Sequence, residues 1–482
     1  MVVGEMVQDV DLVILGAGPG GYTAALRAAE LGIKCTLVDG RPKPGGVCLH
    51  VGCIPSKALL HAAEIINETS HASSFGLHFA KPQINIDELR NWKLGVSDKL
   101  AQGIVAKCKS AGVEIMHGNA RFKDSRNVRV ESDGESAVSI KFKHCIIATG
   151  SRPIMPEMFD IKSERVMDST GALDLKDIPK KLLVIGGGYI GLEMATVYAS
   201  LGSEVTVVEM TDGLLPGVDR DLVRPLQTHM QTILKNIWLN TKVAKIEDTG
   251  KAIKATFEGK DVPADAAFDR VLISIGRRPN TDNIGLENTQ VKLDDRGRFV
   301  VIDDQCRTTD KRIFCIGDTA GDPMLAHKAM RQGIVAAEAI AGKKSAFDNR
   351  AIPAIVFTQP EIAWAGLTET QAKAEGRAVA SSKYPWSANG RAHTLADTNG
   401  TTKVIYDPDT LQVLGIGMVG TRCGELITEA VLAIEMGAVL EDLAVTNHPH
   451  PTLSETVNEA ALTALARIER KQREEEKQKA QV

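Results

Sequence analysis

The 482-residue sequence contains no uninterrupted apolar run of the ~20 residues that a bilayer-spanning helix needs, and its first ten residues have neither a basic start nor an apolar core. A membrane span and a secretory signal are not expected. Positive charge is not in excess either: the net charge is −4, which provides no basic surface for nucleic acid or an anionic membrane. Cysteine is sparse, and eight residues in a chain of this length do not make a disulfide framework. A cytosolic, reducing compartment follows as the expectation, and there a disulfide is usually catalytic. What remains is an ordinary soluble composition, 43% hydrophobic and 24% charged, with material for about three domains.

Two of the eight cysteines, Cys48 and Cys53, have only four residues between them, in the stretch GGVCLHVGCIPSKALL. Bridging so small a loop removes little unfolded-state entropy, so the pair argues for chemistry rather than stapling. The run after Cys53 has apolar residues at helical spacing, and Pro55 suits a first helical turn. Cys53 is therefore expected at a helix N-terminus, where unpaired backbone N-H groups and the macrodipole favour the reactive thiolate. Two plainer readings exist, a pair of buried reduced thiols and half of a zinc site. Zinc would require a second Cys or His pair at ligand spacing, and none follows.

Upstream, VDLVILGAGPGGYTAALRAAELGIKCTLVD sets a strand before Gly16, Gly18 and Gly21, then a helical pattern, then a strand ending at Asp39. Glycines let a backbone approach a pyrophosphate, the helix N-terminus attracts it, and the terminal acid takes a ribose hydroxyl. The arrangement recurs in KLLVIGGGYIGLEMATVYASLGSEVTVVE with Gly186, Gly188, Gly191 and Glu209, and the first glycine precedes the acid by 23 residues in both copies. Two complete fingerprints imply two dinucleotides. The first copy runs directly into the cysteine stretch and is assigned FAD; the second is then assigned a nicotinamide. A carboxylate at Glu209 accepts from a free 2′-hydroxyl and repels a 2′-phosphate, which favours NAD over NADP unless a nearby arginine reverses it.

Each copy closes on a buried strand with a glycine turn, Gly150 to Pro153 in CIIATGSRP and Gly276 to Pro279 in VLISIGRRPN. These turns are read as the crossings between two nucleotide domains. In RIFCIGDTAGDPMLAHKAMRQG, Asp318 follows a strand end, and two readings stand: a ligand to a polyol such as the ribityl chain of FAD, or a plain helix N-cap. Beyond Ala351 the strands and helices lack a phosphate loop, which suits an interface domain pairing two subunits. There NHPHPTLSE places His450 five residues before Glu455, a base with an orienting carboxylate, although a histidine between prolines is also an ordinary turn residue. The closing RIERKQREEEKQKAQV reads as a solvated helix or frayed tail. Cys35, Cys145 and Cys315 fall in expected strands as inert buried residues, and Cys108, Cys306 and Cys423 carry no signal.

Taken together, GAGPGG, GGVCLHVGCIPSKALLH, ATGSRP, GGGYIGLE, IGDTAGDPMLAHK and HPHPTLSE resemble the dihydrolipoamide dehydrogenases, the flavoprotein component of 2-oxo acid dehydrogenase complexes, from Asp9 to Ala464. The Ile-Pro-Ser-Lys after Cys53 looks like this branch, whereas glutathione reductases would show an NADP-type second fingerprint and mercuric reductases a C-terminal cysteine pair. The resemblance implies an α/β fold: two Rossmann-like dinucleotide-binding domains and a C-terminal α+β dimerisation domain. The expected boundaries are 1–151 and 276–350 for the two parts of the FAD domain, 152–275 for the NAD domain and 351–482 for the interface.

The same resemblance assigns roles. His450, oriented by Glu455, would deprotonate a dihydrolipoyl thiol that attacks Cys48; Cys53 would leave as the thiolate facing the flavin, and the electrons would pass on to NAD. Lys57 would lie near flavin N5 paired with Glu193, and Asp318 becomes the ribityl ligand. FAD contacts are implied at Gly16, Gly18, Gly21, Asp39, Gly46, Val47, Lys57, Ala120, Thr149, Gly150, Asp318, Met324, Leu325 and Ala326. NAD contacts are implied at Gly186, Gly188, Tyr189, Ile190, Gly191, Glu193, Glu209, Val243 and Gly276. A homodimer is implied, with the histidine supplied across the interface and lipoyl domains on an acyltransferase core as partners; no metal is expected. Three departures stand out. Pro449 replaces a usual alanine, Asp39 replaces a usual glutamate, and Tyr189 resembles the tyrosine covering the nicotinamide pocket of glutathione reductases. An NADPH-linked reductase of a small disulfide is the alternative enzyme, and a docking subunit without turnover the alternative class.

Overall fold

The computed structural model describes residues 6–481 apart from 133 and 135. Its first sheet has seven strands, in the order Glu114–His117, Cys35–Asp39, Met6–Leu15, Val138–Ile147, Asn127–Glu131 and Asn119–Asp124, with Ile313–Cys315 also paired to Val138–Ile147. Strand alternation explains how this sheet is covered on both sides: Leu12 and Ile14 pack on one face, Val13 and Leu15 on the other. The late return of Ile313–Cys315 carries residues 313–340 back to the first module.

There the helix Ala326–Ile340 lies along Pro19–Glu30 so closely that a Cβ on Gly333 would stand 2.6 Å from the Gly20 carbonyl oxygen. This contact fixes the segment Gly317–Ala326 beside the first phosphate loop.

A second, wholly parallel sheet of five strands repeats the plan: Asn236–Trp238, Glu204–Val208, Lys181–Ile185, Arg270–Ile273 and Val166–Met167. The two glycine turns meet. Ser151–Pro153 pairs antiparallel with Arg277–Pro279, so the two crossings form one small ribbon. The last region is an antiparallel five-stranded sheet in the order Ala354–Val356, Glu361–Gly366, Val413–Gly420, Thr401–Tyr406 and Ala380–Pro385, packed with Cys423–Met436 and Glu455–Ala480. The charged C-terminal run is the exposed end of that last helix rather than a separate tail. One apolar cluster joins the second sheet to Leu59 of the cysteine helix and to Val356, Ile362 and Val419 of the third sheet, so these parts share a core. Among the described residues no helix is long and apolar enough to cross a membrane.

Candidate active site

Cys53 is the first residue of the helix Cys53–His71, and Cys48 sits in the short helix Gly46–Val51 just before it. Gly52 makes the junction possible, because a Cβ there would stand 2.9 Å from the Val47 carbonyl oxygen. Both sulfurs are free thiols, and they differ. The hydrogen bond from Cys48, then the Lys57 ammonium, hold Cys53 down at about 7 against the opposing effects of burial and Glu193. The same hydrogen bond, together with burial, pushes Cys48 up. Cys53 opens onto a crevice yet has protein around it on most sides.

The charge beside Cys53 is itself anchored. One turn along, Lys57 donates through Nζ to Glu193 Oε1 at 3.0 Å and Oε2 at 2.9 Å, and Nζ lies 4.4 Å from the Phe357 ring centroid. Glu193 is 3% exposed on the phosphate helix of the second module, and its Oε1 also accepts from the Phe357 amide. One carboxylate therefore ties together the cysteine helix, the second module and the C-terminal region. The remaining cysteines, including Cys108, Cys306 and Cys423, are buried.

The crevice has a volume of about 470 Å³ and adjoins a second cavity of about 580 Å³, the two sharing Gly16, Asp39, Thr149, Arg152 and Asn280. This trough extends from Ala120 to Cys53, the form an extended dinucleotide needs. Its glycines do what the fingerprint demands. Gly16 has φ +107, a Cβ on Gly46 would stand 2.6 Å from Gly18 Cα, and one on Gly21 would stand 1.8 Å from the Gly16 oxygen. Asp39 accepts from the Ala17 amide at 2.6 Å and the Arg41 amide at 2.7 Å. Val47, Lys57, Gly150, Asp318, Met324 and Ala326 line the same wall. These residues fit FAD.

In the second module Gly186 has φ +108, and Gly191 approaches the Gly186 oxygen as Gly21 approaches Gly16. Glu209 accepts from the Gly187 amide at 2.7 Å and the Thr211 amide at 2.8 Å. The arginine of that loop does not face Glu209: Arg220 donates to the carbonyls of Leu214, Leu215 and Val218. The loop fits a nicotinamide dinucleotide with a free ribose hydroxyl. Tyr189, Ile190 and Glu193 reach from this module into the cysteine crevice, and burial pushes the Tyr189 phenol up to about 12.

Some expected residues stand differently. Asp318 is not an N-cap: it accepts from Ser151 Oγ at 2.5 Å, and Arg277 Nε donates to that same Oγ at 2.8 Å. Val243 turns its side chain into the core and leaves only its peptide group to a ligand, and Leu325, unlike its neighbours, lies off the crevice wall. Gly276, at φ +127, accepts from the Ile154 amide at the crossing ribbon, outside the crevice lining. His450 pairs through Nδ1 with Glu455 Oε1 at 2.8 Å, while Glu455 Oε2 accepts from the Thr452 amide. The Thr452 amide, then His450, hold the Glu455 carboxyl below its ordinary range despite some burial. Within one chain His450 is 77% exposed and is not among the crevice residues, so the two halves of the expected chemistry are apart. Arg41 and Phe357 stand outside every motif and carry no signal in the sequence, while Arg152 and Asn280 lie at the two glycine turns, where nothing in the spacing gives the side chain a role.

Two phosphate-binding modules that share a wall with an unequal dithiol define a flavin- and nicotinamide-using disulfide oxidoreductase. The comparisons agree. Residues 10–333 match the pyridine nucleotide-disulphide oxidoreductase family model, and residues 352–461 match the dimerisation domain of that family. The chain belongs to the pyridine nucleotide-disulphide oxidoreductase family. It is 46% identical to a dihydrolipoyl dehydrogenase of Vibrio parahaemolyticus over 93% of this chain and 94% of that one. Against a dihydrolipoyl dehydrogenase of Bacillus subtilis the identity is 45%, over 96% and 98%. Among solved structures, LpdA from Mycobacterium tuberculosis superposes with TM-score 0.87 at 28% identity, covering 94% of this chain and 99% of that one.

Proposed function

We propose that this chain oxidises protein-bound dihydrolipoyl groups to lipoyl groups and passes the electrons to NAD. The observation that carries the reading is the unequal dithiol: a depressed Cys53 at a helix start on the cofactor trough, and a Cys48 beside it. A substrate thiolate attacks the sulfur of Cys48 in the Cys48–Cys53 disulfide, and Cys53 leaves as the thiolate that Lys57 favours. The second substrate thiolate then displaces Cys48, which closes the lipoyl disulfide. Bound FAD supplies the relay from this dithiol to NAD. Glu455 takes the Nδ1 proton of His450 as a hydrogen bond, which leaves Nε2 to accept the thiol proton. Asp318, braced by Ser151 and Arg277, holds a polyol hydroxyl, and Tyr189 stands where a nicotinamide would enter.

On this reading residues 1–151 and 276–350 hold FAD, 152–275 hold NAD, and 351–482 pair two subunits. The exposed position of His450 within one chain supports a site completed across the dimer, the partner subunit's His450 meeting this Cys48. The substrates are lipoyl domains on the acyltransferase core of a 2-oxo acid dehydrogenase complex in the cytosol; of this, the dihydrolipoyl group is what the relatives' names support. The test is steady-state oxidation of dihydrolipoamide with NAD beside NADP, and reduction of glutathione disulfide with NADPH, in the wild type and in Cys48→Ser. Turnover with dihydrolipoamide and NAD, lost in Cys48→Ser with FAD retained, is expected. Faster turnover of glutathione disulfide with NADPH would replace the reading with that of a small-disulfide reductase, and full activity in Cys48→Ser would end the dithiol mechanism.

A further inference from the structure

The segment that carries His450 holds a second histidine, which takes no part in the chemistry above. In a regular strand residues two apart would share a face, but this segment is irregular, and it turns His448 inward where His450 turns outward. Its side chain is 7% exposed. Nε2 lies 2.7 Å from Glu429 Oε1, and Nδ1 lies 2.9 Å from the Thr446 carbonyl oxygen. A carbonyl oxygen only accepts, and so does an ionised carboxylate. For both contacts to be hydrogen bonds, both ring nitrogens must donate, and the ring is then an imidazolium.

We infer that His448 is a cationic positioning residue, clamped by Glu429 and Thr446, that fixes the segment 446–451 and electrically biases the His450–Glu455 pair. This rests on the base role given above to His450. The clamp reaches three elements. Glu429 belongs to Cys423–Met436; Thr446 Oγ1 donates to the Asp442 carbonyl at the end of Leu440–Val445; and Asn458 Nδ2, from Glu455–Ala480, donates to Leu443 and Ala444. The charged groups facing His448 are Glu429 from the first helix and Glu455 from the last, whose carboxyl feels His448 as well as His450. Asp442 of the middle helix is already taken by the Val439 amide. A fixed cation here makes the His450–Glu455 pair harder to protonate, and so keeps the base free to lower pH. Pro449, between the two rings, narrows the backbone freedom that links them.

The test separates shape from charge, in the intact dimer with FAD bound. Glu429→Gln keeps a partner for Nε2 and removes the charge that demands an imidazolium. Its acid limb of kcat with dihydrolipoamide should move to higher pH, with KM for dihydrolipoamide little changed. His448→Leu removes clamp and cation, and kcat should fall about tenfold or more. NADH-driven reduction of an artificial quinone, which needs the flavin and not the dithiol, reports on the integrity of the remaining machinery. His450→Gln serves as the reference. If His450→Gln is inactive while both other variants keep the wild-type pH profile and kcat, His448 is not a positioning residue. If His450→Gln keeps wild-type turnover, the base assignment fails, and this inference falls with it. A drop in kcat for His448→Leu without any shift of the profile in Glu429→Gln would overturn the electrical part and leave a purely steric clamp.

Discussion

The two nucleotide modules make the same contacts with different residues. Asp39 and Glu209 each accept from the amide two residues on, Arg41 or Thr211, and from the amide after the first loop glycine, Ala17 or Gly187. The extra methylene of Glu209 is absorbed without loss of either bond. The modules differ in what surrounds those contacts. The first loop is backed by Gly46 from the cysteine stretch and opens into the long trough, whereas Gly188 has open space beside it and Glu209 is 8% exposed under the loop that Arg220 fastens. On the assignment proposed above, the first module encloses FAD together with the cysteine stretch, and the second offers one helix end to NAD while Lys403 of the C-terminal sheet holds its Asp219 and Asp221.

The largest break in that comparison comes from the third glycine of each loop. A Cβ at Gly21 meets the Gly16 oxygen at 1.8 Å, and one at Gly191 meets the Gly186 oxygen at 2.2 Å, so either substitution pushes the helix off its strand. Gly21→Ala should yield protein without bound flavin and without any turnover. Gly191→Ala should stay yellow, keep two titratable thiols in the crevice and lose NAD-linked turnover. Flavin absorbance and dithiol titration check this; a colourless Gly191→Ala would mean that the modules do not fold independently.

Next in size is the anchor of the second module. Lys403, with none of its side chain exposed, donates to Asp219 at 2.6 Å, Asp221 at 2.9 Å and Glu369 at 2.8 Å. It occupies the centre of what would otherwise be a cluster of carboxylates able to hold a cation. Lys403→Met leaves those acids facing one another, at a cost of about 3 kcal/mol, the low end for breaking a buried pair because Asp221 and Glu369 reach solvent. Urea unfolding should show it, and a change under about 1 kcal/mol would mean that the acids relax apart at little cost.

Much of the first module and of the site was legible because its chemistry is local. Two loops with the same spacing, one close cysteine pair and a histidine five residues before an acid each fit within a short window, and the turns at Gly150 and Gly276 echo each other clearly enough to be read as crossings, although their pairing into one ribbon is not legible there. Long-range partners were not legible. Lys403 is one lysine in a strand, and its three acids lie 34 to 184 positions away in the chain. Phe357 over Lys57, the Arg277–Ser151–Asp318 relay and the burial of His448 likewise depend on packing, which no spacing encodes. Asp318 shows the boundary: the sequence offered a cap or a ligand, and the cap lost because Ser151, from the first crossing, holds the carboxylate.

A smaller effect is expected on the thiol that the modules share. In the reduced chain, alkylation of Cys53 should rise with pH through a midpoint at about 7, since only the thiolate reacts. Anything that stabilises the thiolate lowers that midpoint, so removing it must raise the midpoint. Cys48→Ala should raise it more than Lys57→Met, because the hydrogen bond from Cys48 outweighs the ammonium. At pH 7 the first unit of upward shift cuts the thiolate fraction, and with it the initial reactivity, by about fivefold, and each further unit by about tenfold. The reverse order of the two variants would make Lys57, and hence its tie to Glu193 in the second module, the main control of the dithiol.

The smallest effect tests the acids directly. Glu209→Gln keeps one oxygen to accept an amide, but its NH2 group must face the other donor, either Gly187 or Thr211, so one of the two amide bonds is lost, while the Thr211 hydroxyl, which also donates to Glu209, can turn to accept. The negative charge opposing a 2′-phosphate goes with it. KM for NAD should rise by about tenfold, equivalent to ~1.4 kcal/mol, while kcat at saturating NAD and the flavin content stay unchanged. The ratio of kcat/KM with NADP to that with NAD should rise, because the repulsive term is removed while Arg220 remains bound to carbonyls and supplies no new attraction. Asp39→Asn should instead leave both nicotinamide constants alone and weaken retention of FAD on dialysis. If Glu209→Gln released flavin as readily as Asp39→Asn, the matching contacts would not report separate ligands, and the second loop would be part of the first module's support.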